Sequence, residues 1–399
     1  MSEIKTLPEL STSGQQALEG IRVVELSGTY GGYCGKLFAD MGAEVILVEP
    51  DEGTALRAVA PFDDKTGKSF SFSYQHTNKR SVCLDLKTAE GQAALNSLVA
   101  DASLVILSDH PDVKLVDVAA WQKTNPALVA TIITPYGLTG PYADFVADDL
   151  TLNAMGGLLY MGGYAEGLPT VAYGQQAYHA ADQFSAVASL TAILHAEATG
   201  NGETIDVSIQ ECVVLALENA AQTYQLEGKV RRREGGTARL AGAGIFQCKD
   251  GEIYLLAGGI GETNMWESFI QWLESDGVDI SLFRTELWGS PGYLATDEAK
   301  ERFAELFIPY ASTRTKMELY QFARQWRVPM APISMPGDVL ASEQLIYRKF
   351  FVAEPNADKD STLLMPGAPY KMFSTPWQLK TAAPDLGSDN EQFFSQEDK

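Results

Sequence analysis

The sequence contains few of the side chains that bind metal ions or form disulfides. It has four cysteines and four histidines among 399 residues. The cysteines lie far apart without a CxxC pair, which argues against a zinc site and against a disulfide framework. The histidines lack the HExxH spacing of zinc peptidases. We therefore expect no metal ion, and we expect the protein in a reducing compartment, the cytoplasm.

Positive charge is scarce as well. Thirty lysines and arginines against 52 aspartates and glutamates leave a net charge of −22. Such a surface repels nucleic-acid phosphates and anionic lipids, which argues against nucleic-acid and membrane partners. No apolar run approaches the ~18 residues of a membrane-spanning helix, and the polar opening MSEIKTLPELSTSGQQ does not resemble a signal peptide. A small anionic ligand remains possible, because it needs only a local basic pocket.

The first 135 residues alternate between strand-like and helix-like segments. GIRVVELSG and EVILVEP are short apolar runs that predict buried strands, and YCGKLFADMGA between them has helical spacing. SVCLDL, SLVILS and LVATIIT are further strand candidates. A strand–helix–strand unit of this length has parallel strands. The pattern predicts a large, open, Rossmann-like α/β domain.

A change of composition marks a second domain. Residues 228–244, GKVRRREGGTARLAGAG, are basic and rich in glycine, which suggests a connection between domains. GIFQCKDGEIYLLAGG then predicts a hairpin that turns at Lys249-Asp250-Gly251, and the proline-rich RVPMAPISMPGDVL predicts a return connection. We therefore predict a large domain that begins with residues 1–225, a smaller α+β domain over 226–330, and a segment 331–399 that completes the large one.

The loop after the first predicted strand, ELSGTYGG, is rich in glycine. A dinucleotide-binding fold has G-x-G-x-x-G here and an acidic residue about 20 positions further on. Glu49 fits the acidic residue, but Tyr30 stands where the second glycine belongs. This difference argues against NAD. The glycines still allow a different nucleotide-bearing ligand to approach the helix N-terminus.

Five segments, in order, resemble the class III CoA-transferases, the family of formyl-CoA transferase and carnitine CoA-transferase. They extend over about residues 18–388 and read LEGIRVVELSGTYGGYCGKLFADMGAEVILVEP, NKRSVCLDLKTAEGQAAL, PYGLTGPYADFVADDLTLNAMGGLLYMGG, TGNGETIDVSIQE and PGAPYKMFSTPW. The resemblance implies a large α/β domain with a small inserted domain, and a homodimer of interlocked chains. It also implies an enzyme that moves CoA from an acyl-CoA thioester to a small carboxylic acid, without a permanently bound cofactor.

The resemblance further implies a carboxylate nucleophile at the start of a helix, and HAADQFSAVASLTAILHA matches that region. Counting back from TGNGE without a gap puts Tyr178 at the nucleophile position, whereas a shift of four residues, one helical turn, puts Asp182 there. We adopt Asp182, at the start of a helix over about 182–198, where it would also serve as an N-cap. It would carry the acyl group as a mixed anhydride and then CoA as a thioester.

For CoA binding, the resemblance implies that Lys79 and Arg80 of NKRS neutralise phosphates and that Tyr30 and Gly31 line the site. The family's ENFRPG stretch reads LSDHPD here, so its arginine is missing. The basic run Arg231–Arg233 of a partner chain is a candidate to replace that arginine, although exposed basic runs are usually only solvated.

Several assignments have an open alternative. The glycines of AGAG at 241–244 and AGGIG at 257–261 are candidates for an oxyanion site, or plain turns. α-Methylacyl-CoA racemases on this fold have a histidine just before the aspartate that matches Asp149, whereas Asp148 stands there in this chain. A carboxylate does not replace an imidazole of near-neutral pKa, so this difference favours a transferase. A non-catalytic CoA-binding protein is favoured if Tyr178, rather than Asp182, occupies the nucleophile position.

Overall fold

The computed structural model describes residues 9–10, 14–233, 235–236, 240–257, 265–355 and 363–394. The chain forms two compact units. The first comprises Met1–Leu159, Val171–Gly228 and Gln344–Lys399, and the second comprises Tyr160–Thr170 and Lys229–Glu343. The second unit resumes at Lys229 rather than at 226, and it extends beyond 330 because the strand Met330–Pro332 pairs within it.

The strands and helices of the described residues are numbered in chain order. The strands are β1 (Arg22–Leu26), β2 (Glu44–Glu49), β3 (Arg80–Cys83), β4 (Leu104–Leu107), β5 (Val129–Thr134), β6 (Thr204–Ser208), β7 (Ala243–Cys248), β8 (Gly251–Leu256), β9 (Met330–Pro332), β10 (Phe351–Ala353) and β11 (Leu364–Pro366). The helices are α1 (Gly32–Asp40), α2 (Phe70–Gln75), α3 (Ala89–Ala100), α4 (Val118–Thr124), α5 (Asp149–Met155), α6 (Leu158–Met161), α7 (Gln176–Thr199), α8 (Ile209–Leu215), α9 (Ala220–Glu227), α10 (Met265–Ser275), α11 (Pro291–Leu294), α12 (Asp297–Ala311), α13 (Lys316–Trp326), α14 (Pro336–Leu340), α15 (Glu343–Tyr347) and α16 (Asn390–Phe394).

The first unit is built on a parallel sheet. Its strands lie in the order β3-β2-β1-β4-β5-β6, with Val24 of β1 opposite Ile46 on one side and Val105 on the other. This is the strand order of doubly wound, Rossmann-type folds. The predicted open α/β architecture is therefore confirmed. A short antiparallel pair, β10 with β11, belongs to the same unit.

Apolar side chains on both faces of this sheet explain why its strands are nearly continuous hydrophobic runs. Val23 of β1 packs into a core that α1 and α7 cover, whereas its neighbour Val24 points to the opposite core, which α3 and α4 cover. Neither valine is exposed to solvent. This two-sided burial is typical of parallel sheets flanked by crossover helices.

The second unit contains an antiparallel sheet in the order β7-β8-β9. Ala243 pairs with Leu256 and Cys248 with Gly251, so the predicted hairpin is confirmed. Its core is rich in aromatic rings from α10 and α12, among them the fully buried Phe269, Trp272 and Phe303. Among the described residues, no helix combines the length and the apolar character that crossing a membrane requires.

Candidate active site

The N-terminus of α1 lies just beyond the carboxyl end of β1. Gly31 is its N-cap and has φ 88°, a left-handed conformation that a side chain disfavours. The preceding loop is held by Asp109, whose carboxylate accepts hydrogen bonds from the N–H groups of Gly28 at 3.0 Å and Thr29 at 2.9 Å. The loop thus presents the positive end of α1 at a fixed position.

Asp182 binds this helix end. Its Oδ1 accepts a hydrogen bond from the Gly31 N–H at 2.9 Å and its Oδ2 accepts one from the Tyr33 N–H at 3.1 Å. The residue is only 1% exposed. Burial raises the pKa of Asp182 to about 7, although the two backbone donors oppose the shift. The carboxylate therefore caps α1, a neighbouring helix, rather than its own.

The start of α7 differs from the sequence-based expectation. We predicted that Asp182 begins its helix, but α7 begins at Gln176, which puts Tyr178 in the first turn and Asp182 in the second. The two residues are one turn apart and share a face. The ring of Tyr178 packs against that of Tyr30, with centroids 5.0 Å apart, and each tyrosine is 7% exposed. Both residues of the ambiguous register thus lie at the same site.

Asp149 takes the capping position that we had assigned to Asp182. Its Oδ1 accepts hydrogen bonds from the N–H groups of Ala177 at 2.9 Å and Tyr178 at 3.3 Å, in the first turn of α7. Asp148 is exposed and caps α5, because its Oδ1 accepts a hydrogen bond from the Thr151 N–H at 2.8 Å. The Thr151 hydroxyl and N–H lower the pKa of Asp148, whereas burial raises the pKa of Asp149.

Lys79 lies inside the fold. Its Nζ donates to Glu25 Oε2 at 2.7 Å and to the Gly32 carbonyl at 2.7 Å, and it lies 3.1 Å from His76 Nδ1. The side chains of Lys79 and Glu25 have no solvent exposure. An ammonium group enclosed in this way does not face solvent, which argues against a phosphate contact, and the role of Lys79 as a phosphate ligand stays a prediction. Lys79, the residue just before β3, thus joins this part of the chain to β1 and α1.

Glu25 and His76 are the members of this site that sequence reasoning missed. Burial raises the pKa of Glu25, with the Lys79 ammonium opposing the shift. Burial and the nearby Lys79 charge hold the pKa of His76 well below its usual value, so the imidazole is neutral. For Glu25, the sequence offered one signal, a charged residue within the buried run RVVEL.

The family model of CoA-transferase family III matches residues 18–390. The chain belongs to this family. It is 36% identical over 379 residues to the succinyl-CoA:(R)-benzylsuccinate CoA-transferase subunit BbsE of Thauera aromatica, covering 93% of this chain and 92% of that one. It is 30% identical over 400 residues to the succinate–glutarate CoA-transferase of Agrobacterium fabrum, covering 95% of each. A solved CAIB/BAIF family protein from Brucella suis has a TM-score of 0.84 at 24% identity, covering 95% of this chain and 98% of that one.

The protein is therefore a CoA-transferase, and CoA thioesters are substrates of its family. The predicted CoA ligands do not all lie together. Tyr30 and Gly31 follow the carboxyl end of β1, whereas Arg80 is the first residue of β3. Arg80 Nη1 lies 3.0 Å from Asp389 Oδ1, beside a cleft of about 440 Å³ that Lys380 also lines.

The LSDHPD segment has a structural role in this member of the family. Asp109 anchors the loop before α1, as described above. His110, at the position of the missing arginine, is 1% exposed, and its Nδ1 accepts a hydrogen bond from the Asp112 N–H at 3.1 Å. Burial lowers the pKa of His110, so it supplies no positive charge at neutral pH.

The remaining predicted groups lie in the second unit. Arg231 and Arg232 are exposed, whereas Arg233 donates hydrogen bonds to the carbonyls of Tyr164 at 2.9 Å and Gly167 at 2.6 Å. The AGAG glycines at 241–244 lie at the start of β7. Residues 258–261 of AGGIG lie outside the described residues.

Proposed function

We propose that the enzyme transfers CoA from succinyl-CoA to a small organic acid that resembles succinate. The observation that carries this proposal is the match to CoA-transferase family III over residues 18–390. The relatives support the choice of donor, since the names of BbsE and of the Chloroflexus aurantiacus L-malate and D-citramalate transferases all include succinyl-CoA. The acceptors named for these relatives are likewise small organic acids.

We further propose Asp182 as the nucleophile. Its carboxylate attacks the thioester carbonyl, the C–S bond breaks, and CoA leaves as a thiolate while a mixed anhydride forms. The thiolate then attacks the aspartyl carbonyl, which releases the donor acid and leaves an aspartyl–CoA thioester. The acceptor acid reverses both steps. Covalent catalysis of this kind divides one difficult exchange into easier ones.

The backbone donors of α1 support this mechanism. The Gly31 and Tyr33 N–H groups already hold the two oxygens of Asp182. When the carboxylate is acylated, one of them would donate to the aspartyl carbonyl oxygen, on which negative charge develops during thiolate attack. Fixed N–H donors at such a position stabilise an oxyanion without reorganisation. The proposed oxyanion site thus lies at α1 rather than in the second unit.

The burial of Asp182 and the position of Tyr178 favour a second candidate function. In it, this chain is a CoA-binding subunit without a nucleophile, because a tyrosine occupies the first turn of α7. Asp182 then serves only to cap α1. BbsE is named as a subunit, as is the alpha subunit of the L-malate transferase. A different chain would supply the nucleophile, whereas the first proposal is compatible with the homodimer that the family resemblance implies.

Two variants separate the candidates. The purified chain is incubated with succinyl-CoA and a panel of dicarboxylic acids, and products and peptide adducts are read by mass spectrometry. If Asp182 is the nucleophile, Asp182→Asn abolishes transfer. The wild-type protein then carries a hydroxylamine-sensitive CoA adduct on the peptide YHAADQF, and Asp182→Asn does not. The second candidate is correct if the wild-type chain, without any other chain, is inactive but binds CoA, and if Tyr178→Asp gains the adduct.

Quaternary structure and proton exchange provide independent tests. Light scattering of the homodimer should give twice the chain mass of 43.3 kDa, and a monomer at micromolar concentration would contradict it. Solvent deuterium appearing at the α-carbon of the acyl group would indicate a racemase instead. We expect none, because Asp148 and Asp149 act as helix caps.

A further inference from the structure

One peptide group at the N-terminus of α1 forms a hydrogen bond at each of its ends. The Tyr33 N–H donates to Asp182 Oδ2 at 3.1 Å, and the Gly32 carbonyl accepts from Lys79 Nζ at 2.7 Å. These two groups belong to the same planar peptide unit, because the carbonyl carbon of one residue is bonded to the nitrogen of the next. Lys79 is therefore connected to Asp182 through a single rigid peptide.

The Lys79 ammonium group is held in one orientation. Its three N–H donors face Glu25 Oε2 at 2.7 Å, the Gly32 carbonyl at 2.7 Å and His76 Nδ1 at 3.1 Å. The side chains of Lys79 and Glu25 are both fully buried. A Cβ on Gly35, one turn further along α1, would overlap Glu25 Oε2, so this glycine allows α1 to lie against the pair. The positive charge is thus fixed beside the Gly32 carbonyl.

A cation at a peptide carbonyl strengthens the N–H of the same peptide as a donor. Hydrogen bonds in a chain polarise one another, and they are electrostatically stronger in a protein interior than in water. Asp182 is in such an interior, since it is only 1% exposed. The Lys79 charge also opposes the upward shift of the Asp182 pKa, as expected for a cation that favours negative charge on this carboxyl.

We propose that Lys79 is a positioning residue for CoA transfer, which aims and strengthens the Tyr33 N–H toward Asp182 Oδ2. The inference rests on the proposed role of Asp182 as nucleophile. Negative charge develops on an aspartyl oxygen when the thiolate attacks, and a donor that is already oriented stabilises this charge. Glu25 neutralises the buried ammonium and keeps it at the Gly32 carbonyl. Lys79 thereby affects the reaction through a peptide group and not through the substrate.

The amide signal of Tyr33 in nuclear magnetic resonance tests this connection without reference to activity. Protein labelled with carbonyl-¹³C glycine and ¹⁵N tyrosine gives a cross-peak only where a tyrosine follows a glycine. The chain has three such pairs, Gly32-Tyr33, Gly163-Tyr164 and Gly292-Tyr293. Tyr164→Phe and Tyr293→Phe assign the other two signals, which then serve as internal references. In Lys79→Met the Tyr33 amide proton should shift to higher field, because its hydrogen bond weakens, while both references stay in place.

The second measurement separates kcat from KM for succinyl-CoA in the transfer to a dicarboxylic acid. Removing one oxyanion donor outright costs about 10²–10³ in kcat, so Lys79→Met, which only weakens a donor, should lower kcat by about tenfold. KM should stay unchanged, because Lys79 contacts the peptide and not CoA.

The control for a loss of stability by itself is Leu95→Ala. Leu95 of α3 is fully buried in the core on the face of the sheet opposite to α1. Its truncation leaves a cavity and destabilises the same unit away from the site. The Tyr33 signal, kcat and KM of folded Leu95→Ala should all match the wild type. If Lys79→Met does not fold, the double variant Lys79→Met/Glu25→Gln, which buries no unpaired charge, is used in both assays.

The outcomes distinguish the positioning role from the nucleophile assignment. An unmoved Tyr33 signal in a folded variant overturns the positioning role, and so does a raised KM with unchanged kcat, which would mean that Lys79 binds CoA. If the signal moves but Asp182→Asn retains full transfer activity, the proposed nucleophile is wrong. The connection then has no part in the reaction, and the positioning role is rejected as well. A moved signal and a lower kcat at unchanged KM, together with an inactive Asp182→Asn, support both proposals.

Discussion

Replacing Lys79 by methionine tests whether this lysine holds the fold together or binds CoA. Lys79→Met leaves the Glu25 carboxylate buried without its partner and removes the donor that the Gly32 carbonyl uses. Breaking a buried pair by removing one partner costs about 3–5 kcal/mol. Because whole domains are stable by only about 5–15 kcal/mol, we expect a large fraction of the free energy of unfolding of the first unit to be lost.

Two further variants test whether the unpaired Glu25 charge causes this loss of stability. The double variant Lys79→Met/Glu25→Gln has no uncompensated charge, so it should regain a substantial part of the lost free energy of unfolding. A deficit of about 1–3 kcal/mol should remain, because some buried groups still lack a hydrogen bond. The matched control is Arg80→Met, at the next residue. Arg80 pairs with Asp389 at an exposed position, where its side chain is 49% exposed, and such pairs contribute about 0–1 kcal/mol.

The assay is urea unfolding followed by far-ultraviolet circular dichroism, with hydrogen exchange of β1 peptides to assign the loss to the first unit. The KM for the CoA thioester is measured on the same preparations. If Lys79→Met keeps its free energy of unfolding within about 1 kcal/mol of the wild type while KM rises, the lysine binds substrate and our interpretation of the buried pair is refuted.

Three other perturbations follow from the same geometry. Because burial raises the pKa of Asp182 from 3.8 to about 7, the folded protein holds a proton that the unfolded chain has released over this range. The free energy of unfolding of the wild type, relative to Asp182→Asn, should therefore fall as pH rises through this window, by about 1.4 kcal/mol per pKa unit; a flat difference would contradict the burial. Gly35→Ala would make its Cβ overlap Glu25 Oε2 and should destabilise the first unit by about 1–3 kcal/mol, whereas Gly289→Ala, with no atom within 4 Å, should be nearly neutral in the same urea unfolding assay. Asp148→Ala removes the N-cap of α5 and should cost about 1 kcal/mol without loss of CoA transfer; loss of activity in the folded variant would show that this acid takes part in the reaction.

Much of the first unit could be predicted from the sequence because its determinants are local. Apolar runs such as EVILVE and VATIIT are long enough to be strands and are separated by segments with helical spacing. Parallel pairing then follows from the crossovers. The hairpin of the second unit was equally predictable, since Lys249 and Asp250 form its turn and Gly251 follows as the first residue of β8. In each case, neighbouring residues carry the information.

The site depended on contacts between residues far apart in the chain. The sequence pattern around Asp182 and Tyr178 allows two registers, and it predicted a helix that starts six residues later than α7 does. The cap that begins α7 is Asp149, from another helix, and Asp182 in turn caps α1, which is about 150 residues away. A local sequence pattern does not show that a side chain caps a helix other than its own.

The sequence alone determined that the chain has a large parallel α/β unit, because hydrophobic periodicity and turn chemistry act over a few residues. Only the tertiary structure decided which partners the charged and polar residues of NKRS and HAADQF contact. The cost of burying a charged group depends on the opposite charge that lies beside it in the fold. For Lys79 this partner is Glu25, in a strand 54 positions earlier in the chain. The sequence pattern of NKRS does not show that the Lys79 ammonium lies inside the fold.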